Sequence, residues 1–364
     1  MTTNGSGLHW ICSCKHVYDA STDAVIGCNK AKRPCKAAIG TDFPDLHVDW
    51  VCPVCEEPKS VYTLIYLGSR DSDFKSVITN ILKKGRLKPK YIELLTDEKS
   101  MKSYGRAFTA ATADAVDNYE RFEQIGDVTA NKFIVWYAYR RFPQLDCTEG
   151  VKVVARLRIN YGAKQFFASL AESLGFWPFI TAAESGLERN QYYRIRDKKD
   201  LLEDVLEAFV GCTEFLLDRA FRPGVGYGIV YDILADIFHD IPMSLEYEDL
   251  YDAKTRLKET FDANKIKLGE WAYIQTPVTY EGTTLIKSEV YRVPPGVKKT
   301  PNIIATDAGN IEIPKPRWEL IGEGISRTKS DAQQKAATSG IKTLKLRGYY
   351  KEAPKEYALF CKKY

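Results

Sequence analysis

The chain has 364 residues, of which 45% are hydrophobic and 27% charged, the composition of a globular protein with two or three domains. A membrane span needs about eighteen consecutive uncharged apolar residues, and no stretch of the chain is that long. The first residues also lack the basic region followed by an apolar region that is typical of a signal peptide. We therefore expect a soluble, intracellular protein of the cytoplasm or nucleus. Residues 311–364 carry a net charge of +6 and the rest of the chain −2, which gives the total of +4, so a polyanionic partner should bind mainly to the C-terminal part.

The sequence predicts four parts. Residues 1–65 form a small cysteine-rich β module with an extended piece at Val61–Leu67, and residues 75–245 form an all-helical domain. Residues 250–350 have the order α-β-β-β-α, and residues 351–364 form a basic tail. The predicted helices of the second part lie at Asn118–Phe142, Tyr161–Leu174 and Lys199–Phe221. In the third part, helices at Ala253–Asn264 and Ser330–Leu346 flank strands at Trp271–Tyr280, Thr283–Val293 and Trp318–Gly324, and Pro294–Pro316 is predicted to be an extended loop.

Six of the nine cysteines lie within the first 55 residues: Cys12, Cys14, Cys28, Cys35, Cys52 and Cys55. In a reducing compartment such a cluster indicates a metal site rather than disulfide bonds. Residues 10–19, 40–46 and 49–55 resemble rubredoxin, which implies a tetrahedral site at Cys12, Cys14, Cys52 and Cys55.

Zinc and iron both suit four thiolates, and we favour structural zinc over a redox-sensing iron site. Two departures from rubredoxin are Lys15 and Glu56, which replace glycines that let each loop wrap its metal. Cys28 and Cys35 are additional. They could substitute for Cys12 or Cys14, or lie free on an inserted loop.

Two predicted helices carry carboxylates at helical spacing. Glu120, Glu123 and Asp127 stand at i, i+3 and i+7, and Asp204 and Glu207 stand at i and i+3. Both helices are otherwise apolar over most of their circumference and are predicted to be largely buried. Buried carboxylates repel one another unless cations neutralise them, and oxygen ligands favour Mg²⁺ or Mn²⁺ over zinc. For either cluster alone, a solvated acidic face would be the simpler interpretation.

A glycine accompanies each acidic cluster. Because a glycine within a helix costs up to about 1 kcal/mol, Gly126 and Gly211 predict that the two helices approach closely there. Apolar residues around them, among them Phe122, Phe133 and Trp136, are expected to be buried.

Together the two acidic segments resemble the ribonuclease III family. Residues 118–127 are similar to its N-E-R-L-E-F-L-G-D signature, with departures at Phe122, Gln124 and Ile125. Residues 201–211 are similar to its L-A-D-x-x-E-A-x-x-G helix, with Glu203 in place of a small residue. The similarity runs from about Ala107 to Asp218.

This resemblance implies an all-α endonuclease domain in which Glu123, Asp127, Asp204 and Glu207 bind catalytic Mg²⁺. Glu120 would support the site or contact RNA. Family members hydrolyse double-stranded RNA to 5′-phosphate and 3′-hydroxyl ends with short 3′ overhangs, and they act as dimers. A single copy of the signature therefore implies a homodimer.

The last third resembles a double-stranded RNA-binding domain. Residues 252–259 are similar to D-P-K-T-x-L-Q-E, and residues 322–337 are similar to G-x-G-x-S-K-K-x-A-K-x-x-A-A. The resemblance implies RNA contacts by Thr255, Glu259, Arg327, Lys329, Gln333 and Lys335. Because Gln333 replaces a lysine, binding should be weakened, with Lys298 and Lys299 able to compensate.

Two alternatives differ in class from an endoribonuclease. One is a catalytically silent protein that sequesters double-stranded RNA or supports a ribonucleoprotein, against which the intact acidic set argues. The other makes the N-terminal module an independent redox protein, which an iron-thiolate absorption band would reveal. The sequence leaves open the physiological RNA and whether the protein processes transcripts or, as a virus-encoded member, destroys silencing RNAs.

Overall fold

The computed structural model describes residues 8–33, 35–183, 191–280, 282–306 and 309–360. The last residues of the predicted basic tail, 361–364, lie outside this range, as do residues 1–7 of the cysteine module. In the described part of the chain, no helix is both long and apolar enough to cross a membrane.

The elements follow the predicted order of a β module, a helical segment and a mixed segment. Up to residue 241 they are β1 (Leu8–Ile11), α1 (Asp23–Lys30), β2 (Thr63–Tyr66), α2 (Ser72–Lys84), α3 (Pro89–Leu95), α4 (Glu98–Ala107), α5 (Glu120–Arg141), α6 (Gly150–Tyr161), α7 (Lys164–Ser173), β3 (Ala182–Ala183), α8 (Gln191–Ala220) and α9 (Val225–His239). After residue 241 they are α10 (Tyr247–Leu250), α11 (Ala253–Ala263), α12 (Lys265–Leu268), β4 (Glu270–Tyr280), β5 (Thr283–Val293), β6 (Asn302–Thr306), β7 (Gly309–Ile313), β8 (Glu319–Ser326), α13 (Lys329–Leu346) and α14 (Lys355–Ala358). Single 3₁₀ turns lie at Phe43–Asp45, Lys59–Val61, Pro143–Leu145 and Trp177–Phe179.

The chain forms two compact units. The first contains the residues up to Pro143 and Leu157–Ile241, and the second contains Gln144–Arg156 and the residues from Pro242 onward. The cysteine module and most of the predicted helical domain therefore belong to one unit, and the finer boundaries at 65, 75, 245 and 250 stay predictions.

Long amphipathic helices form the core of the first unit. The predicted helices around the two acidic segments and between them are confirmed as α5, α7 and α8. Phe122 and Phe133 of α5 are buried, as their helical spacing predicts. The expectation that Trp136 is buried was wrong, because 56% of this residue is exposed in the single chain.

A three-stranded antiparallel sheet ties the cysteine module to the helical part of the same unit. β1 pairs with β2 in the register Leu8↔Tyr66, and β2 pairs with β3 through Ile65↔Ala183. The sequence predicted the extended piece that contains β2. It did not predict α1, which packs on Trp50: the indole N–H of Trp50 donates to the carbonyl oxygens of Asp23 and Ala24 at 3.1 and 3.2 Å.

The second unit is an antiparallel sheet of order β4-β5-β8 with helices α11 and α13. Leu257 and Phe261 of α11, Ala336 and Leu344 of α13, and Val290 of β5 belong to one buried core cluster. The three long strands predicted between the two helices are present as β4, β5 and β8, and the short helix α12 and strands β6 and β7 are additional.

The predicted loop at Pro294–Pro316 was wrong in part, because β6 and β7 form an antiparallel hairpin within it. The β-branched residues Ile303, Ile304 and Thr306 in one strand and Ile311 and Ile313 in the other favour strands even in a segment rich in Pro, Lys and Gly.

Candidate active site and cysteine centre

Helices α5 and α8 approach each other at two glycines. A Cβ atom on Gly126 would overlap the carbonyl oxygen of Glu207, and one on Gly211 would overlap the carbonyl oxygen of Phe122. Any larger residue would push the two helices apart. The prediction of a close approach beside the acidic clusters is therefore confirmed.

This approach brings the acidic residues of the two helices onto facing surfaces. Glu207 is buried with 7% of its surface exposed, Glu123 and Asp204 are half-buried, and Asp127 is exposed. Glu120 is exposed in the first turn of α5, where its backbone N–H donates to Asn118 Oδ1 at 3.1 Å.

The carboxylates destabilise one another as anions. Burial and then the charges of Asp127, Glu203, Glu123 and Asp204 raise the pKa of Glu207 to about 8. Burial and then Asp204 and other carboxylates raise the pKa of Glu123 to about 7. Burial also raises the pKa of Asp204. A bound divalent cation would relieve this repulsion, and carboxylate oxygens are ligands that Mg²⁺ prefers.

Two residues that the sequence did not point to hold carboxylates of this site. The Tyr119 hydroxyl donates to Asp204 Oδ2 at 2.7 Å, and Tyr119 itself is buried. The Lys164 ammonium lies 2.7 Å from Glu203 Oε2 and 3.1 Å from Asp200 Oδ1. The sequence does show a tyrosine directly before the acidic helix and an unusual acidic residue at position 203. Neither feature indicates that Tyr119 contacts Asp204 or that Lys164 contacts Glu203.

The sulfur atoms of Cys12, Cys14, Cys52 and Cys55 lie within 4.8 Å of one another. Among the residues that the structure describes, these four cysteines form the group of His, Cys, Asp or Glu side chains that is compact enough to hold one ion. Cys12 and Cys52 are buried, whereas Cys14 and Cys55 are exposed. The four cysteines expected from the resemblance are thus brought together at the spacing that one tetrahedral ion requires.

Two similar turns, called knuckles below, carry these cysteines: Cys12–Lys15 and Cys52–Glu56. The backbone N–H of Lys15 donates to Cys12 O at 2.8 Å, and that of Glu56 donates to Cys52 O at 3.0 Å. Lys15 has φ +68° and Glu56 has φ +63°, a left-handed conformation that favours glycine. The knuckles therefore keep the backbone path for which glycine is suited, at the cost of strain in two non-glycine residues.

Glu56→Gly is therefore expected to stabilise the protein by about 0.5–1 kcal/mol, because glycine removes the left-handed strain and adds only unfolded-chain entropy. Urea unfolding of the metal-loaded protein measures the change. Glu57→Gly is the matched control, since Glu57 is also exposed but does not have a positive φ. Equal destabilisation by both substitutions would contradict this prediction.

Cys28 and Cys35 form a disulfide bond with each other. The two alternatives in which one replaces a ligand or both lie free are therefore wrong for this structure. The reason is the unpredicted helix α1: Cys28 lies in its last turns, and the chain returns to it within seven residues.

The thiols of the cysteine centre differ in acidity. Burial opposes ionisation of Cys52, but hydrogen bonds from the backbone N–H of Cys55, the Tyr62 hydroxyl and the backbone N–H of Val54 outweigh it and lower the pKa of that thiol to about 6. Burial raises the pKa of Cys12 to about 12. The Cys52 thiol is thus the one most easily ionised, and a bound cation would favour the thiolates of Cys12 and Cys55, whose pKa values are raised.

The residues predicted to contact RNA lie at the start of α11 and around the start of α13. Arg327 and Lys329 are exposed. Gln333 Oε1 accepts from the Lys254 ammonium at 2.7 Å, which links the two helices. The Lys335 ammonium donates to Ile325 O at 2.9 Å.

The two predicted RNA-contact residues of α11 have partners within the second unit. Thr255 Oγ1 donates to Asp252 Oδ2 at 2.6 Å, and Asp252 caps the helix. The Glu259 carboxylate accepts from the Tyr247 hydroxyl and lies 2.9 Å from the Lys351 ammonium. RNA would have to compete for both side chains.

Comparisons with known proteins bear on the acidic helices. The Ribonuclease III domain family matches residues 120–215, the segment that contains α5, α7 and most of α8. A protein of Invertebrate iridescent virus 6, named provisionally as a ribonuclease 3, is 40% identical over 311 residues, which are 82% of this chain and 96% of that relative. The chain belongs to the ribonuclease III family. It is accordingly an endoribonuclease, a phosphodiester hydrolase, and its nuclease domain is largely helical.

Two more distant similarities were found. A protein of Frog virus 3 (isolate Goorha), also provisionally named ribonuclease 3, is 32% identical over 75% of this chain and 63% of its own length. The solved nuclease domain of ribonuclease III from Campylobacter jejuni is 23% identical over 42% of this chain and 95% of that one, with a TM-score of 0.33.

Proposed function

We propose that this ribonuclease III cleaves double-stranded RNA with Mg²⁺ held by Glu123, Asp127, Asp204 and Glu207, and that Glu120 supports the site. Mn²⁺ is the alternative ion. The observation that carries the proposal is the close approach of α5 and α8, which places buried and half-buried carboxylates of the two helices face to face. Their burial and mutual repulsion raise the pKa values of Glu123 and Glu207. Two helices locked together at Gly126 and Gly211 fix the positions of these groups before any ion binds.

Bound Mg²⁺ would supply an activated water and stabilise the leaving oxygen of the phosphodiester, in a two-metal arrangement. The contribution of the chain is to fix the ligands. Tyr119 orients Asp204 through its hydroxyl, and the burial of Glu207 keeps bulk water from one side of the centre. The products would be 5′-phosphate and 3′-hydroxyl ends with short 3′ overhangs.

For the second unit we infer a double-stranded RNA-binding domain. Its support is the α11, β4-β5-β8, α13 arrangement together with the exposed cations at the start of α13. Positive side chains at a helix N-terminus suit phosphates across the narrow major groove of A-form RNA. Thr255, Glu259, Arg327, Lys329, Gln333 and Lys335 are the proposed contacts.

Lys329→Ala is expected to weaken binding to every RNA duplex alike and to reduce the slope of log K against log salt concentration by roughly one. Filter binding across a salt series, with duplexes of unrelated sequence, measures both effects. Lys342→Ala is the control, because Lys342 is an exposed lysine in the later half of the same helix. A loss confined to particular sequences would contradict a phosphate contact.

A homodimer is the proposed assembly. Val128 and Trp136 of α5 are 65% and 56% exposed in the single chain, although both are large and apolar. Burial of such side chains against a second copy would remove apolar surface from water. Sedimentation of the purified protein tests this assembly.

The cysteine centre is proposed to hold structural Zn²⁺ in a rubredoxin-like module, with Fe as the alternative. The four thiols lie close enough for one ion, and the lowered pKa of Cys52 supplies the first thiolate. A colourless, zinc-loaded protein is expected by metal analysis. An iron-thiolate absorption band would show that the module holds iron instead of zinc.

Substrate choice tests the proposed activity. Long perfect RNA duplexes should be cut in Mg²⁺ to discrete 5′-phosphorylated fragments, whereas single-stranded RNA and duplex DNA of the same sequence should remain intact. Cleavage of all three substrates would contradict specificity for double-stranded RNA. Tight RNA-duplex binding without cleavage would favour a sequestering protein.

A further inference from the structure

We propose that Lys15, Asp114 and Tyr119 are positioning residues that connect the cysteine centre to the metal-binding carboxylate Asp204. Loss of the ion at the cysteine centre would therefore weaken Mg²⁺ binding at the nuclease site. This inference rests on the proposed function, since it assigns Asp204 to Mg²⁺.

The first contact of this path is made by Lys15, a residue of the first knuckle. Lys15 follows Cys14, has φ +68° and closes the first knuckle with its own backbone N–H. Its ammonium lies 2.6 Å from Asp114 Oδ2, 99 residues further along the chain. The direction in which the Lys15 side chain leaves the backbone is thus set by the knuckle.

Asp114 organises the turn that precedes the acidic helix α5. Its Oδ1 accepts the backbone N–H groups of Val116 and Asp117, both at 3.0 Å. Burial opposes ionisation of Asp114, but the hydrogen bonds from Lys15 and these N–H groups outweigh it and lower the pKa to about 2. The carboxylate is therefore anionic and joins the Lys15 ammonium to the backbone of the turn.

The turn continues directly into the nuclease site. Asn118 is buried and its side-chain amide donates to Asp114 O at 2.9 Å, while its Oδ1 accepts the first N–H of α5. Tyr119 is held by its backbone N–H, which donates to Thr109 O at 2.9 Å. Its hydroxyl then reaches Asp204 Oδ2 at 2.7 Å.

A continuous path becomes a coupling only if one of its elements has two arrangements. The knuckle provides that element, because a non-glycine residue at positive φ is strained and needs the closed centre to hold it there. Without a bound ion, Lys15 can relax to an ordinary conformation and withdraw from Asp114. Because 70% of the Lys15 side chain is exposed, the ion pair is weak and its effect should be modest.

The test compares Lys15→Gly with Glu56→Gly. Both substitutions relieve a positive φ in a knuckle, but only Lys15→Gly removes the contact with Asp114. Two quantities are measured: the Mg²⁺ concentration for half-maximal cleavage, and hydrogen exchange of the Val116, Asp117 and Tyr119 amides without Mg²⁺ or RNA.

Lys15→Gly should raise half-saturating Mg²⁺ about threefold and speed exchange of these amides, whereas Glu56→Gly should leave both unchanged. Tyr119→Phe should raise half-saturating Mg²⁺ about tenfold with normal exchange at Val116 and Asp117, because it breaks the last contact alone. Cys14→Ser should reproduce the effects of Lys15→Gly and add nothing when the two are combined.

Unchanged Mg²⁺ dependence and exchange in Lys15→Gly would overturn the proposal, as would additive effects of Lys15→Gly and Cys14→Ser. If Cys14→Ser fails to fold, Lys15→Gly still decides the matter, since it keeps all four cysteines. If the wild type cleaves no RNA, the proposed function fails, and unchanged exchange in Lys15→Gly would overturn the coupling separately.

Discussion

Glu207→Gln is expected to reduce RNA cleavage by at least about a thousandfold while leaving duplex binding nearly unchanged. Glu207 faces Glu123, Asp127 and Asp204 from the most buried position of the site. Replacing its carboxylate by the amide of glutamine would therefore remove a metal ligand but no contact with an RNA phosphate. Single-turnover cleavage and filter binding in Ca²⁺ measure the two effects.

Glu172→Gln is the matched control for this substitution. Glu172 lies on α7, pairs with Lys198 at 2.6 Å and is 59% exposed, so its loss should change neither cleavage nor binding. Loss of RNA binding in Glu207→Gln would contradict the metal-ligand role, and so would cleavage near the wild-type rate.

The metal-free protein should lose stability as the pH rises. Folding raises the pKa of Glu207 to about 8 and that of Glu123 to about 7, so the folded state binds protons that the unfolded chain has released. Their contribution is fully present below about pH 4.5 and is lost as the pH rises through the two folded values.

Urea unfolding at pH 5.5 and 8.5, with EDTA and with Mg²⁺, measures this dependence. Mg²⁺ replaces the protons, so it should remove most of the loss and bind more tightly at the higher pH. Glu207→Gln, which has no proton to lose at that position, should show a shallower decline in EDTA. Metal-free stability that increases over this pH range would contradict the assigned repulsion.

Features set by local periodicity could be predicted from the sequence. Helical spacing gave the faces of Glu123, Asp127, Asp204 and Glu207, and the neighbouring glycines indicated the close approach of α5 and α8. Alternation along β4, β5 and β8 likewise gave the strands of the second unit.

Features that depend on distant partners could not be predicted. The contacts Tyr119–Asp204 and Lys15–Asp114 join residues 85 and 99 positions apart, and no spacing rule relates them. The Cys28–Cys35 bond depends on α1, a helix that no pattern in the sequence indicated. Composition was misleading at β6 and β7, because the surrounding Pro, Lys and Gly suggested a loop although both strands are rich in β-branched residues.

The most direct test of the catalytic account is gel analysis of a long perfect RNA duplex incubated with the wild-type protein in Mg²⁺, EDTA or Ca²⁺, beside Glu207→Gln in Mg²⁺. The account predicts discrete 5′-phosphorylated fragments with the wild type in Mg²⁺ and intact duplex in the other three lanes. Cleavage in EDTA, or by Glu207→Gln at the wild-type rate, would contradict a metal site at these carboxylates. Tight binding without cleavage in every lane would contradict the nuclease itself.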